Sequence, residues 1–145
     1  MTTKPVPDGY HSVTPYLTVT GVANLIDFLK EAFAAVETER MTRPDGTVGH
    51  AEVRIGDSMV MMGEASDAWK PMPSALYLYV ADVDGVYRRA LAAGATSTME
   101  PMDQFYGDRS GGVTDPSGNI WWIATRVENL SREELERRAE TVFKK

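Results

Sequence analysis

The chain has 145 residues, a formal net charge of −6 and no cysteine. That length buries a core without covalent staples. The missing thiols exclude a disulfide framework and thiolate chemistry. The scattered basic residues exclude the footprint of a nucleic-acid binder or a basic membrane-binding face. No apolar run is long enough to span a bilayer, and the start, MTTKPVPDGYHS, lacks a signal-peptide core. The expectation is a soluble, cytoplasmic protein with no nucleic-acid or membrane partner.

In chain order, TPYLTV (14–19) reads as a short strand, and Val22, Leu25, Ile26, Leu29, Ala32 and Phe33 then keep helical spacing. VETERM is a strand, and RPDGT a hairpin turn in which Asp45 and Gly46 supply positive φ angles. HAEVRI alternates as a half-buried strand does. Gly56-Asp57 turns into a fourth strand, SMVMM. After WKPMPS the order repeats: the strand ALYLYV, a helix from Val83 to Ala93 with Asp82 as N-cap and Gly94 at C′, the strand TSTMEP, the loop MDQFYGD, then SGGVTD and NIWWIA. A shift of 61 residues lays Tyr16-Leu17-Thr18-Val19 on Tyr77-Leu78-Tyr79-Val80, Val22 on Val83, Leu25 on Val86 and Met62 on Ile123. Self-similarity at a fixed shift marks a duplicated unit. Ser131 and Glu134 form a capping box and Leu130 and Leu135 a hydrophobic staple, so a last helix follows, packed on the domain or on a partner subunit.

Two βαβββ units with DPSGN leading into the final strand resemble the vicinal oxygen chelate superfamily, which holds glyoxalase I, bleomycin- and fosfomycin-resistance proteins and extradiol dioxygenases. The resemblance covers residues 11 to 126. GHAEVRIGDSMVMMGE and YGDRSGGVTDPSGNIWWIATR are similar to its PhnB-like branch. It implies an α+β fold in which tandem βαβββ modules, about residues 11–66 and 74–126, form half-barrel sheets around a cavity, with a C-terminal helix over about 131–143. It also implies a homodimer. Enzymes of the family hold a divalent metal on strand positions that fall here on Thr14, Met61, Ala75 and Trp122. None is a carboxylate or an imidazole, so the expectation is no metal at the usual position and no cofactor.

Strand parity sorts the side chains. Leu17, Val19, Val60, Met62, Leu76, Leu78, Val80, Trp121 and Ile123 share one face, which takes the helices. The other face carries Thr14, Tyr16, Thr18, Met59, Met61, Ala75, Tyr77, Tyr79, Ile120 and Trp122. His50, Glu52 and Arg54 share that cavity face, as do Arg109, Gly111 and Val113 if no bulge intervenes. The tyrosines and methionines read either as barrel filling or as an adaptable binding pocket. His50 and Glu52 read as a solvated strand face or as a general acid–base pair. Tyr106, Asp108 and Arg109 lie by a glycine-bearing loop suited to a lid, and Trp69 reads as a packing anchor between the units, with cavity entrance as the other option. Two functions remain open. One is a small-molecule-binding protein with an aromatic cavity, its ligand groups being Tyr16, Met59, Met61, Tyr77, Tyr79, Trp122, Arg54 and Arg109. The other is a lyase, isomerase or dioxygenase, either metal-dependent through displaced ligands or metal-free through His50 and Glu52.

Overall fold

The computed structural model describes residues 3–144. The elements run β1 (Tyr16–Val19), α1 (Val22–Phe33), β2 (Val36–Thr42), β3 (Val48–Ile55), β4 (Ser58–Glu64), β5 (Ala75–Tyr79), α2 (Val83–Ala92), β6 (Thr96–Asp103), β7 (Asp108–Thr114), β8 (Ile120–Arg126) and α3 (Arg132–Phe143). The strands form two four-stranded mixed sheets, ordered β1-β4-β3-β2 and β5-β8-β7-β6. In each, the short first strand runs parallel to the last and the other pairs are antiparallel. This is the α+β architecture of two tandem half-barrel modules followed by a C-terminal helix.

Each crossover helix needs its first amides satisfied. Gly21, at φ 89, opens α1 but has no side chain to cap it. Glu64 at the end of β4 does so instead, accepting from Gly21 N at 2.7 Å and Val22 N at 3.1 Å. A carboxylate there also complements the helix dipole. At the matching place in the second module Thr125 Oγ1 accepts from Val83 N at 3.0 Å, and Asp82 caps from its own side chain through Gly85 N at 3.1 Å. α3 is capped by Ser131, which accepts from Glu134 N at 3.1 Å. The Glu134 carboxylate pairs with Arg137 and Arg138. In the turn after β2 only Gly46 takes a positive φ, of 90°. Asp45, expected to share that conformation, instead accepts from Thr47 N at 2.9 Å.

The helix-facing side of both sheets packs against α1 and α2 as one core. Leu17, Val19, Val60, Met62, Trp121 and Ile123 are buried, and Leu76, Leu78 and Val80 pack against them partly exposed. Phe33 of α1 meets Trp121 of β8 at 5.0 Å between ring centroids, which ties the first module to the second. Trp121 is 2% exposed, and its indole N–H donates to Asp115 Oδ2 at 2.8 Å. Asp115 also takes Ser117 N and Asn119 N, so the DPSGN turn is built around one buried carboxylate.

One facing expectation fails. In the β3–β4 hairpin Arg54 stands opposite Met59 and Glu52 opposite Met61. In the β7–β8 hairpin Thr114 stands opposite Ile120 and Gly112 opposite Trp122. Glu52 therefore corresponds to Gly112, a shift of 60 residues, while Met61 corresponds to Trp122, a shift of 61. The DPSGN turn is one residue longer than its counterpart, and one residue reverses the facing of a strand. Val113 is fully buried opposite Trp121, Gly111 stands opposite Ile123, and Arg109 shares their side. The residues of β7 that face away from the helices are Asp108, Ser110, Gly112 and Thr114.

Candidate functional site

The helix-free face of the first module brings together Tyr16, Thr18, His50, Glu52, Arg54, Met59 and Met61. Parity puts His50 and Glu52 side by side on β3, and the side chains meet: His50 Nε2 lies 2.8 Å from Glu52 Oε2. A carboxylate only accepts, so Nε2 carries the proton; when the ring is otherwise unprotonated, Nδ1 is an acceptor. Tyr16 Oη lies 3.3 Å from Nδ1, within hydrogen-bond reach, and is the donor of that contact in this tautomer. The hydroxyl reaches this place because β4 has a glycine there: a Cβ on Gly63 would come within 2.6 Å of Tyr16 Oη. Tyr16 also borders a cavity of about 590 Å³ with Thr18, Arg43, Gly49, Glu64, Trp69 and Met72. The chain between the sheets crosses its mouth, where Met72 N donates to Thr18 O at 3.0 Å. Trp69 is 74% exposed at that mouth. It borders the entrance and is not the packing anchor expected, because the linker lies over the open face of the sheet and away from the core.

The same face of the second module is aromatic. Tyr77, Met99, Gln104, Tyr106, Ser110 and Trp122 line a cavity of about 320 Å³. Trp122 lies over Gly112, where an added Cβ would come within 2.6 Å of the indole ring. Beneath the tyrosines sits Asp108, 1% exposed. Its Oδ2 accepts from Tyr77 Oη at 2.7 Å and Tyr79 Oη at 2.8 Å. Arg126 Nε stands 3.0 Å from Oδ1, close enough for ion pairing but off the line of a hydrogen bond, so Oδ1 has no directed donor. Having given its proton to Asp108, Tyr77 accepts from Tyr106 Oη at 3.4 Å. Burial, then the Tyr106 and Asp108 contacts, push the Tyr77 phenol far above the usual tyrosine range. The 104–107 turn that carries Tyr106 is tied down by α3: Arg138 donates to Phe105 O at 3.2 Å, and Phe143 meets Phe105 edge-on at 5.7 Å.

Arg109, expected in the cavity, is on the other side of β7. It makes a forked pair with Asp84 of α2, at 3.1 Å from both Nε and Nη2, and reaches Asp103. Asp108 and Tyr106, seen in the sequence only as neighbours of a loop, belong to the site. The one available signal was the five residues of DPSGN against the four from Ile55 to Ser58 in the first module.

The positions that resemblance assigns to a metal do not fit one. Met61 lies beside Tyr16 and Trp122 beside Tyr77, while Ala75 lies beside Ile120 and Thr14 precedes β1. They offer one hydroxyl and one thioether to an ion that prefers carboxylate or imidazole. Among the described residues no group of three or more His, Asp or Glu side chains is placed to hold an ion. Among the described residues no helix is long and apolar enough to cross a membrane.

Residues 9–123 match the model of the glyoxalase/bleomycin resistance protein/dioxygenase superfamily. An uncharacterised protein of Mycobacterium bovis is 36% identical over 136 residues, covering 86% of this chain and 90% of its own length. One of Mycobacterium tuberculosis has the same identity, with 80% of its length covered. Among solved structures, TioX from Micromonospora superposes with a TM-score of 0.64 at 23% identity, over 80% of this chain and all of that one. A PhnB protein from Bacillus cereus superposes with a TM-score of 0.64 at 19% identity, over 79% of this chain and 99% of that one. Likeness at these identities concerns the fold.

Proposed function

Since the chain belongs to the glyoxalase/bleomycin resistance protein/dioxygenase superfamily, we propose that it is a small-molecule-binding member that takes a flat, partly aromatic ligand on an aromatic cavity without the superfamily's usual metal. The observation that carries this reading is Trp122. It occupies the metal-ligand position, lies over Gly112, and borders a cavity with Tyr77, Tyr106 and Met99. A glycine beneath an indole leaves the opposite ring face available for stacking, and aromatic rings with Met are what adaptable pockets use. The sheet faces stand open, with Tyr16, Tyr77 and Tyr79 each exposed. A homodimer that covers them is part of the proposal, since such open apolar surface marks an interface.

The test keeps Trp122 as the only tryptophan, through Trp69→Phe and Trp121→Phe, and follows its fluorescence. The additions are the small molecules that mass spectrometry finds on the purified protein. A saturable change supports the reading. Near-unit zinc, nickel, iron or manganese, with loss of fold or binding on chelation, overturns it. Sedimentation showing only monomer at tens of micromolar removes the dimer.

A second reading, metal-free isomerisation, is favoured by the 2.8 Å contact between His50 and Glu52. A carboxylate that fixes a histidine tautomer is a recurrent part of acid–base sites.

A further inference from the structure

We infer that Tyr16, His50 and Glu52 form a hydroxyl–imidazole–carboxylate relay in which Tyr16 is the group that meets substrate, a compact enolisable carboxylate anchored by Arg43. The inference rests on the second reading above and changes which residue does the chemistry. Both ring nitrogens of His50 are already engaged, Nε2 by Glu52 and Nδ1 by Tyr16. Of the three residues only Tyr16 borders the cavity, and it is half exposed. A proton leaving substrate therefore reaches Tyr16 first.

The row has the logic of an activated nucleophile or base: hydroxyl, then imidazole, then an orienting carboxylate. The 3.3 Å separation of Tyr16 and His50 is the loose contact common in a site without substrate. Gly63 is consistent with that placement: a Cβ there would come within 2.6 Å of the hydroxyl and 3.1 Å of Gly49 O, so the hydroxyl would have to shift.

Charge sets the substrate class. Arg43 borders the same cavity, and among the described residues no carboxylate lies within ion-pairing distance of it. Glu64 borders it too, but both its oxygens are taken by the first amides of α1. An anionic group thus finds a guanidinium that feels the nearby Asp45 charge but makes no ion-pair contact, while Trp69 and Met72 offer apolar cover at the mouth. In the step, the C–H bond next to a carbonyl breaks and its proton goes to Tyr16 Oη. The Tyr16 proton passes to His50 Nδ1, and the imidazolium pairs with Glu52. The C–H electron pair becomes the C=C bond, and the carbonyl oxygen takes the charge beside Arg43. Return of the proton to that oxygen gives the enol, so one C–H is exchanged for one O–H and no further reactant is needed.

The probe is phenylpyruvate, followed by keto–enol interconversion in the ultraviolet and by loss of its C3 protons in D2O. The protein should accelerate exchange over buffer, and Tyr16→Phe should lower the rate about 100-fold or more, the range of general acid–base catalysis. Gly63→Ala should lower it too, although Tyr16 is still present. Arg43→Gln should raise KM about tenfold and lower kcat as well, because the guanidinium both anchors the carboxylate and faces the charge that develops on the carbonyl oxygen. 15N spectra of His50, with His11 as the internal reference, should show the proton on Nε2, and Glu52→Gln should disturb that tautomer. Wild-type exchange no faster than buffer, Tyr16→Phe within threefold of wild type, or a proton on Nδ1 overturns the relay. Phenylpyruvate that quenches tryptophan fluorescence without exchange refutes the relay and leaves the binding reading standing. Exchange abolished by chelators refutes both.

Discussion

The two modules share a frame and differ in what their open faces carry. In the first, β3 and β4 present His50, Glu52, Arg54, Met59 and Met61 beside Tyr16. In the second, the equivalent strands present Ser110, Gly112, Thr114, Ile120 and Trp122 beside Tyr77. Titratable groups in a row have become a floor of glycine and tryptophan. On the helix-facing side most positions stay apolar, because they fill one shared core at crystal-like density, although β7 puts Gly111 and Arg109 there. Duplication thus left one face free to diverge, and the proposed division of labour is proton transfer on the first module and stacking on the second.

The largest expected effects test which face is which. Trp121→Ala removes a fully packed indole, its contact with Phe33 and the partner of Asp115. It should cost about 3–5 kcal/mol in urea melts. Trp122→Ala should cost clearly less, because its cavity admits water, but should weaken ligand binding by about 2 kcal/mol or more. If Trp122→Ala is the more damaging to stability, the assignment of faces is reversed and both site readings fall with it. Next in size is Asp108→Ala. It leaves Tyr77 and Tyr79 without their shared acceptor and should cost about 1–3 kcal/mol. It should also loosen ligand held on Trp122. Glu52→Gln in the first module keeps the side-chain shape at a partly exposed site, so its melt should barely move. Equal losses for these two would erase the contrast between a built aromatic floor and an exposed relay.

Element order, helix limits near 22–33 and 83–92, and the core face were legible because period and parity report local geometry. The pairing of His50 with Glu52 was legible for the same reason, since residues two apart on a strand share a face. What parity does not carry is register across a turn. The single shift of 61 does not hold across the turn: DPSGN has five residues where the first module has the four from Ile55 to Ser58, and that additional residue moves Arg109 out of the site and Asp108 into it. The role of Gly63 was hidden as well, because it depends on a hydroxyl that arrives from β1, 47 residues earlier in the chain. The sequence leaves Trp69 between packing anchor and cavity entrance because a linker tryptophan has no periodic neighbours to show which surface it lies against.

A smaller effect concerns the tyrosine of the second module's first strand. Burial, with Tyr106 and Asp108 alongside, raises the Tyr77 phenol. Its folded form then holds the proton to higher pH than the unfolded chain, whose tyrosines ionise near pH 10. Stability from this source is complete below about pH 10 and falls as the solution becomes more alkaline, because the unfolded chain deprotonates first. Melts from about pH 9 to pH 11 should show that loss, and Tyr77→Phe should flatten it. An alkaline slope that persists in Tyr77→Phe would show that the loss does not come from this phenol.

The smallest expected effect concerns Arg109. In the sequence it stood among the ligand groups; in the structure it is on the helix side of β7, clamped to Asp84 and Asp103. The pair raises the guanidinium and lowers Asp84, through the hydrogen bonds between them first and their Coulomb attraction after desolvation is counted. All three groups are in solvent to a substantial degree, so salt screens the attraction and little of it survives as stability. Arg109→Ala should therefore lower the melting temperature slightly at low ionic strength and not measurably in high salt. It should leave Trp122 fluorescence titrations unchanged at either ionic strength. Arg126→Ala is the control on the opposite face of the same sheet. It strips the cation from buried Asp108 and should alter the tyrosine arrangement and the titration together. A loss of ligand affinity in Arg109→Ala comparable to that in Arg126→Ala would show that the strand turns both ways in solution. The one-residue register difference between the modules would then no longer explain why their open faces diverge.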